Sequence, residues 1–186
     1  MNSREIVLGT IEYTGTERVA GSMPAPYWND LSHASYKLKG FEPLWQDVDG
    51  GRQEYVDEWG NTWARVDDYS KGEVARGAVE SLAEVDTAPL PDLANPANYA
   101  TVREVFTNPQ NDRFRVGGLP GFPFNIARKM RRLDQFLMDL LLEQDRVRVL
   151  LQRIEDLLAE AIVQYAAAGA DGVMFPEDWG TQKGLM

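Results

Sequence analysis

Glu177 and Asp178 stand side by side and are followed at once by Trp179-Gly180, so two acids and a large flat aromatic reach the same loop. Carboxylates in such a position can take up and return a proton, and a Trp or Phe face can carry a planar ligand. The same acid pair can also serve only to brace its loop. A second acid–aromatic group, Asp57-Glu-Trp-Gly-Asn-Thr-Trp63, and an apolar run, Gly118-Leu-Pro-Gly-Phe-Pro-Phe124, supply the other candidates: Asp57, Trp59, Phe122, Pro123 and Phe124. Against a binding role stand a cross-strand structural role for Asp57 and Trp59 and plain core packing for the two phenylalanines.

Composition narrows the remaining chemistry. The 186 residues contain no cysteine, which removes disulfides, thiolate nucleophiles and Cys-ligated zinc. His33 is the single histidine, so a multi-histidine metal site cannot be built and a Ser/His/Asp triad would hang on that residue alone. Nineteen Lys+Arg against 29 Asp+Glu give a formal charge of −10, which argues against a broad electrostatic grip on nucleic acid or an anionic membrane and for a local, pocketed ligand. No P-loop, Gly-x-Gly-x-x-Gly fingerprint or EF-hand loop occurs. The first ten residues lack the apolar core of a signal peptide, and no window approaches the roughly 18 apolar residues that span a bilayer, so a cytoplasmic protein is expected.

The elements that would position these residues follow from periodicity. Asn2 or Ser3 can cap a helix carrying Ile6, Val7 and Ile11, with Gly15 as its stop. A short strand is expected near Arg18 to Met23, ahead of a rigid Pro24-to-Trp28 loop, and His33 in a loop or at a helix start. Between residues 41 and 67, turn residues such as Asp49-Gly50-Gly51 and Gly60-Asn61 break the chain into short runs. Gly60-Asn61 between Tyr55–Trp59 and Thr62–Val66 signals a hairpin with a type II′ turn, carrying Tyr55, Trp59 and Trp63, with Trp45 nearby. A further strand is expected near Glu73 to Ala78. Asn95-Pro96 opens a helix with Tyr99, Val102 and Phe106 on one stripe, and Arg113 to Gly117 alternates as a strand. Residues 125–143 read as mainly helical. Asp145 can cap a long helix ending at Gly169, with Val147, Leu150, Leu151, Ile154, Leu157, Leu158, Ala161, Ile162 and Tyr165 on one face. Val173-Met174-Phe175 then reads as a parallel-sheet strand buried on both faces.

A helix, a tight link, a short apolar strand and a polar loop form the unit of an α/β architecture with parallel strands. About four core strands can be placed, whereas a complete (β/α)8 barrel takes about 250 residues. The expected fold is therefore half of such a barrel, as a single domain over residues 1–186 with a hairpin insertion at about 41–67. Since residues 180–186 end in the loop after a strand, the expectation is a fragment, or a chain whose remainder comes from a partner.

The string from Gly169 through Asp178-Trp179-Gly180-Thr-Gln to Met186, with Gly118–Phe124 and Asp57–Trp63 upstream, resembles the uroporphyrinogen decarboxylase superfamily. The resemblance covers essentially the whole chain, as the N-terminal half of the family's (β/α)8 TIM barrel. It implies an active site at the C-terminal ends of the strands. There Phe122, Pro123, Phe124 and Trp179 would meet a tetrapyrrole or corrinoid ring, and Asp57 and Trp59 would reach the mouth from the hairpin. Glu177 and Asp178 would bind pyrrole N–H groups or manage a proton. The family contains porphyrinogen decarboxylases and cobalamin-dependent methyltransferases. In the decarboxylases an Arg-Gln-Ala-Gly-Arg-Tyr loop holds substrate carboxylates, but the corresponding stretch here, Pro24-Ala-Pro-Tyr-Trp-Asn-Asp-Leu-Ser-His33, has no arginine, and the family's active-site tyrosine falls on Lys129.

The resemblance therefore implies a corrinoid methyltransferase-like protein, with porphyrinogen decarboxylation (a lyase reaction) as the enzymatic alternative. A non-catalytic half-barrel that self-associates is the third expectation. The methyltransferase branch activates a thiol on zinc through a His-x-Cys pair and a distant Cys, none of which lies in this chain. Corrinoid and zinc are thus expected only for a longer parent, and these residues alone are expected to be inactive.

Overall fold

In the computed structural model, which describes residues 1–48, 50–181 and 183–185, Asn2 opens the first helix by a reciprocal cap. Its side chain accepts the Glu5 N–H at 2.8 Å while Glu5 accepts the Asn2 N–H at 2.9 Å, starting α1 (Ser3–Ile11). The helix closes at Glu12, before Gly15, and Ile11 is exposed. The strand expected near Arg18–Met23 does not form; only Ser22 bridges to Asn29. Pro24 and Pro26 bring no N–H to extend that pairing. The strand is instead β1 (Leu31–Ser35), which corrects the reading of His33: it lies mid-strand, on an exposed position.

The chain forms two compact units, each assembled from separated segments. The first comprises Met1–Lys37, Ala94–Leu119 and Ala159–Phe175. Its sheet contains β1, β6 (Phe114–Gly118) and β7 (Gly172–Met174), parallel and in the order β1-β6-β7, with His33 opposite Val116 and Gly118 opposite Met174. The protein is thus mixed α/β, and among the described residues the parallel sheet has three strands rather than the four expected. Asn95 caps a 3₁₀ turn, Pro96–Tyr99, that leads into α2 (Ala100–Thr107), burying Tyr99, Val102 and Phe106. Burial of the last strand on both faces is not observed, since Met174 and Phe175 are 52% and 42% exposed.

Tyr165 ties this unit together. Its hydroxyl donates to the Gly118 carbonyl at 2.6 Å and accepts the Tyr36 N–H at 3.0 Å, and its ring covers Gly117 so closely that a Cβ there would lie 2.4 Å from a ring carbon. Burial pushes the phenol up, against the hydrogen bonds from Tyr36 and Ser35. Tyr165→Phe is expected to cost about 1–2 kcal/mol, because a strand-end carbonyl and an amide lose their partner without a gain in packing. Urea unfolding checks this; an unchanged midpoint would mean that water replaces the hydroxyl.

The second unit comprises Leu38–Leu93, Pro120–Leu158 and Pro176–Met186. Its sheet is an antiparallel meander of β2 (Gln46–Val48), β3 (Arg52–Val56), β4 (Thr62–Arg65) and β5 (Glu73–Arg76), so the expected hairpin is the centre of four strands. The expected Asp49–Gly51 turn lies partly outside the described residues, at Asp49. The helical stretch after residue 122 divides into α3 (Pro123–Met130) and α4 (Leu133–Leu142), with Arg132 between them at φ 64.

The long helix, α5 (Gln144–Ala167), places Val147, Leu150, Ile154 and Leu158 in the core of the second unit and Ala161 and Tyr165 in the core of the first. Ile162 departs from the expected stripe at 40% exposure. Gly169 ends the helix at φ 92, the left-handed conformation that glycine adopts freely. In the C-terminal segment β8 (Gly180–Thr181) pairs with β9 (Gly184–Leu185), while Gln182 and Met186 lie outside the described residues. Among the described residues no helix is long and apolar enough to cross a membrane.

Candidate functional site

The turn between β3 and β4 is built around one carboxylate. Asp57 Oδ1 accepts the Trp59 and Asn61 backbone N–H groups at 3.0 and 2.8 Å, while Oδ2 accepts the Asn61 side-chain amide at 3.0 Å and the Trp63 indole N–H at 2.7 Å. The turn differs from the expected two-residue type II′: Asp57 and Asn61 close it by a backbone hydrogen bond of 2.9 Å, with Gly60 at φ 82. A carboxylate with this many short, directed donors is held in one orientation, and it in turn fixes the indole of Trp63.

That fixed turn forms one wall of a cavity of about 190 Å³ lined by Tyr55, Glu58, Trp59, Trp63, Ile126 and Lys129, together with Asp57, Asn61 and Pro120. Tyr55 and Trp63 stack at 6.2 Å between ring centroids, and the Lys129 ammonium lies 5.8 Å from the Trp63 ring centroid. Trp59 is 5% exposed, so it forms wall rather than rim. Lys129 and Trp63 also border a wider groove of about 770 Å³ with Glu73, Arg128, Arg132 and Asp134.

Burial shifts two charged groups of the cavity towards their neutral forms. Burial pushes the Lys129 amine down, as does neighbouring Arg128, against the opposing pull of Asp57, Glu58 and Glu177. Burial pushes the Glu58 carboxyl up, with Asp57 acting in the same direction and Lys129 against it. Both Glu177 carboxylate oxygens are buried and accept no hydrogen bond among the described residues. A carboxylate in that state is costly unless charge or a ligand compensates it.

The remaining sequence candidates lie in the same unit. Phe124 meets Trp179 at 5.7 Å and Phe136 at 5.7 Å, and the Asn125 side chain reaches the Pro176 carbonyl at 3.5 Å, which joins the start of α3 to the loop holding Glu177. Pro123 is buried at the first turn of α3, whereas Phe122 and Trp179 are 39% and 55% exposed. Asp178 is exposed and accepts the Gly180 N–H at 3.1 Å. The three segments read from the sequence thus meet around α3, and the acids divide: Asp57 and Asp178 are engaged by their own turns, while Glu177 is not.

Sequence reasoning did not single out Glu58, and it reached Lys129 only through the resemblance, as the residue standing at an active-site tyrosine position. Phe122, Ile126 and Lys129 recur at spacings of four and three, so a lysine on the apolar stripe of a short helix was the available signal. Among the described residues no group of three or more His, Cys, Asp or Glu side chains is arranged to hold a metal ion, and the donor set does not fit thiol-activating zinc. No protein-family model, curated protein or solved structure matches the chain.

Proposed function

We propose that the chain is a uroporphyrinogen decarboxylase-like (β/α) barrel segment that binds a corrinoid-type tetrapyrrole and belongs with the methyltransferase-like branch. The observation that supports this most is the convergence of Asp57–Trp63, Gly118–Phe124 and the Glu177–Trp179 loop around α3, joined by the Phe124–Trp179 and Asn125–Pro176 contacts. Consecutive parallel strands in the order β1-β6-β7 accord with a barrel wall. Phe122 and Trp179 offer exposed aromatic faces to a macrocycle, and the exposed Asp178 offers an acceptor to its polar edge. A bound methylcorrinoid supplies a transferable methyl group; the chain's own residues hold the ring and exclude water from one of its faces.

Titration with methylcobalamin, followed by calorimetry, tests the reading. Saturable binding is expected, with Trp179→Ala weakening it about tenfold, the upper range for one aromatic face. Absence of saturable binding, or equal affinity in Trp179→Ala and Phe122→Ala, would remove the corrinoid assignment. Release of CO2 from uroporphyrinogen, measured in parallel, would place the chain with the decarboxylases instead.

A further inference from the structure

We infer that the cavity beside the Asp57–Asn61 turn captures a small neutral aldehyde or ketone as an imine on Lys129, with Glu58 carrying the protons. It shares the Asp57–Trp63 hairpin with the corrinoid reading but not its test: that reading turns on the exposed Phe122 and Trp179 faces, this one on the cavity lined by Lys129 and Glu58.

Three features carry the inference. The cavity of about 190 Å³ has aromatic and aliphatic walls, Tyr55, Trp59, Trp63 and Ile126, which suit an organic guest of a few carbon atoms. Lys129 lines it with no side-chain hydrogen bond or ion pair to any described residue, its ammonium lying 5.8 Å from the Trp63 ring centroid. Glu58 lines the same cavity, and where Asp57 accepts four hydrogen bonds within the turn, the Glu58 carboxylate is drawn only towards its own backbone N–H. The burial that lowers the Lys129 amine and raises the Glu58 carboxyl moves both towards the forms required, a neutral amine and a protonated acid. The acids Asp57, Glu58 and Glu177 disfavour an anionic keto acid, which is why the guest is a neutral carbonyl compound.

The step balances without a redox partner. The Lys129 nitrogen forms a bond to the carbonyl carbon as the C=O π pair moves to oxygen, which takes the Glu58 proton. The nitrogen returns a proton to Glu58, the hydroxyl then leaves as water with that proton, and a C=N bond replaces C=O.

Propanal with sodium cyanoborohydride tests this on the full chain, since hydride reduces an imine to a stable propyl-lysine that peptide mass spectrometry locates. The five lysines provide an internal scale: Lys37, Lys39, Lys71 and Lys183 are exposed, and Lys129 is not. Lys129 is expected to be modified at least about tenfold faster than the exposed lysines at pH 7, with its pH–rate midpoint below theirs. That profile reflects Tyr55, Asp57 and Glu58 from the hairpin, Arg128 from α3 and Glu177 from the last loop; Glu73, Arg132 and Asp134 face it across the groove. Glu58→Gln is expected to slow the Lys129 reaction without altering the exposed lysines. Lys129 modified no faster than the others overturns the inference, as does a Glu58→Gln rate equal to wild type. Should Glu58→Gln fail to fold, the site-resolved comparison within the wild-type chain still decides.

Discussion

Asp171→Asn is expected to destabilise the first unit by about 2–3 kcal/mol at pH 7, through loss of charge-assisted hydrogen bonds to two partly exposed arginines. Asp171 accepts the Arg115 backbone N–H at 3.0 Å, Arg115 Nε and Nη2 at 2.9 Å each, and Arg4 Nε and Nη2 at 3.1 and 2.9 Å. Its side chain is 8% exposed, against 25% for Arg115 and 43% for Arg4. The cluster therefore ties α1 and β6 to the link that precedes β7. An asparagine retains the shape but has a single acceptor oxygen, and turns an amide donor towards guanidinium groups that only donate.

The pH dependence has a definite sign. Burial alone would raise the Asp171 carboxyl, but the hydrogen bonds and charges of Arg115 and Arg4 outweigh it and hold the group well below the usual carboxylate range. Asp30, completely buried against Arg18, is held low by its hydrogen bonds from Arg18 and Gly21 despite desolvation. Groups lowered in the folded state contribute stability that is fully present above their unfolded value of about 3.9 and is lost as pH falls below it. Wild type should therefore be flat in stability from pH 7 to about 5 with respect to these groups, then decline. Asp171→Asn should show a shallower decline, so the two urea midpoints converge towards pH 2. A constant gap between them across that range would show that Asp171 acts through shape rather than charge.

The legible parts of the fold were those written in local chemistry. The cap at Asn2, one of the two residues offered, the Asn95 cap, most of the α5 stripe and the Gly169 stop each depend on residues within a few positions of one another and are found in place. Even so, Asn95 opens a 3₁₀ turn before α2, Asp145 lies in the first turn of α5 rather than capping it, and Ile162 is exposed. β1 escaped because Leu31-Ser-His-Ala-Ser35 has no apolar alternation. Its pairing depends instead on close approach, with Gly118 so near Ser35 that a Cβ would lie 2.5 Å from the hydroxyl oxygen. Small residues that permit contact leave no hydrophobic signature. The break at Arg131–Arg132 was hidden for a related reason: no proline or glycine marks it, and Arg131 is held by Asp139 at 2.7 Å and by the Glu80 carbonyl at 2.6 Å, partners distant or downstream.

For the site, aromatic–acid strings identified the segments but not the division of labour within them. Asp57 and Glu58 are adjacent acids in one turn, and only the hydrogen bonds distinguish the turn's organiser from the acid left facing the cavity. The same holds for Glu177 and Asp178: Asp178 is closed on Gly180, while the buried Glu177 carboxylate oxygens accept no hydrogen bond among the described residues. Lys129 entered the sequence reading only through the resemblance, at the position of an active-site tyrosine, and nothing local marked it as lining a cavity. Its burial against Trp63 depends on a strand remote in sequence.

Gly77→Ala is expected to destabilise the second unit by about 3 kcal/mol and to disable Lys129 together with it. A Cβ on Gly77 would fall 2.2 Å from the Met130 carbonyl oxygen, 2.7 Å from its carbon and 3.1 Å from the Lys129 carbonyl oxygen. All three are backbone atoms at the end of α3, so no side-chain rotation relieves the overlap. The segment after β5 must withdraw, which stretches the 2.8 Å hydrogen bond from the Val79 N–H to Met130, or the last turn of α3 must shift and carry Lys129 away from Trp63. Val79 is 1% exposed and Met130 completely buried, so withdrawal opens packed core. Urea unfolding measures the first consequence, and reductive propylation at Lys129 measures the second in the fraction that remains folded. Loss of stability with unchanged Lys129 reactivity would mean that the segment after β5 yields and α3 does not; full stability would mean that the close approach of these backbones is not a constraint on the fold.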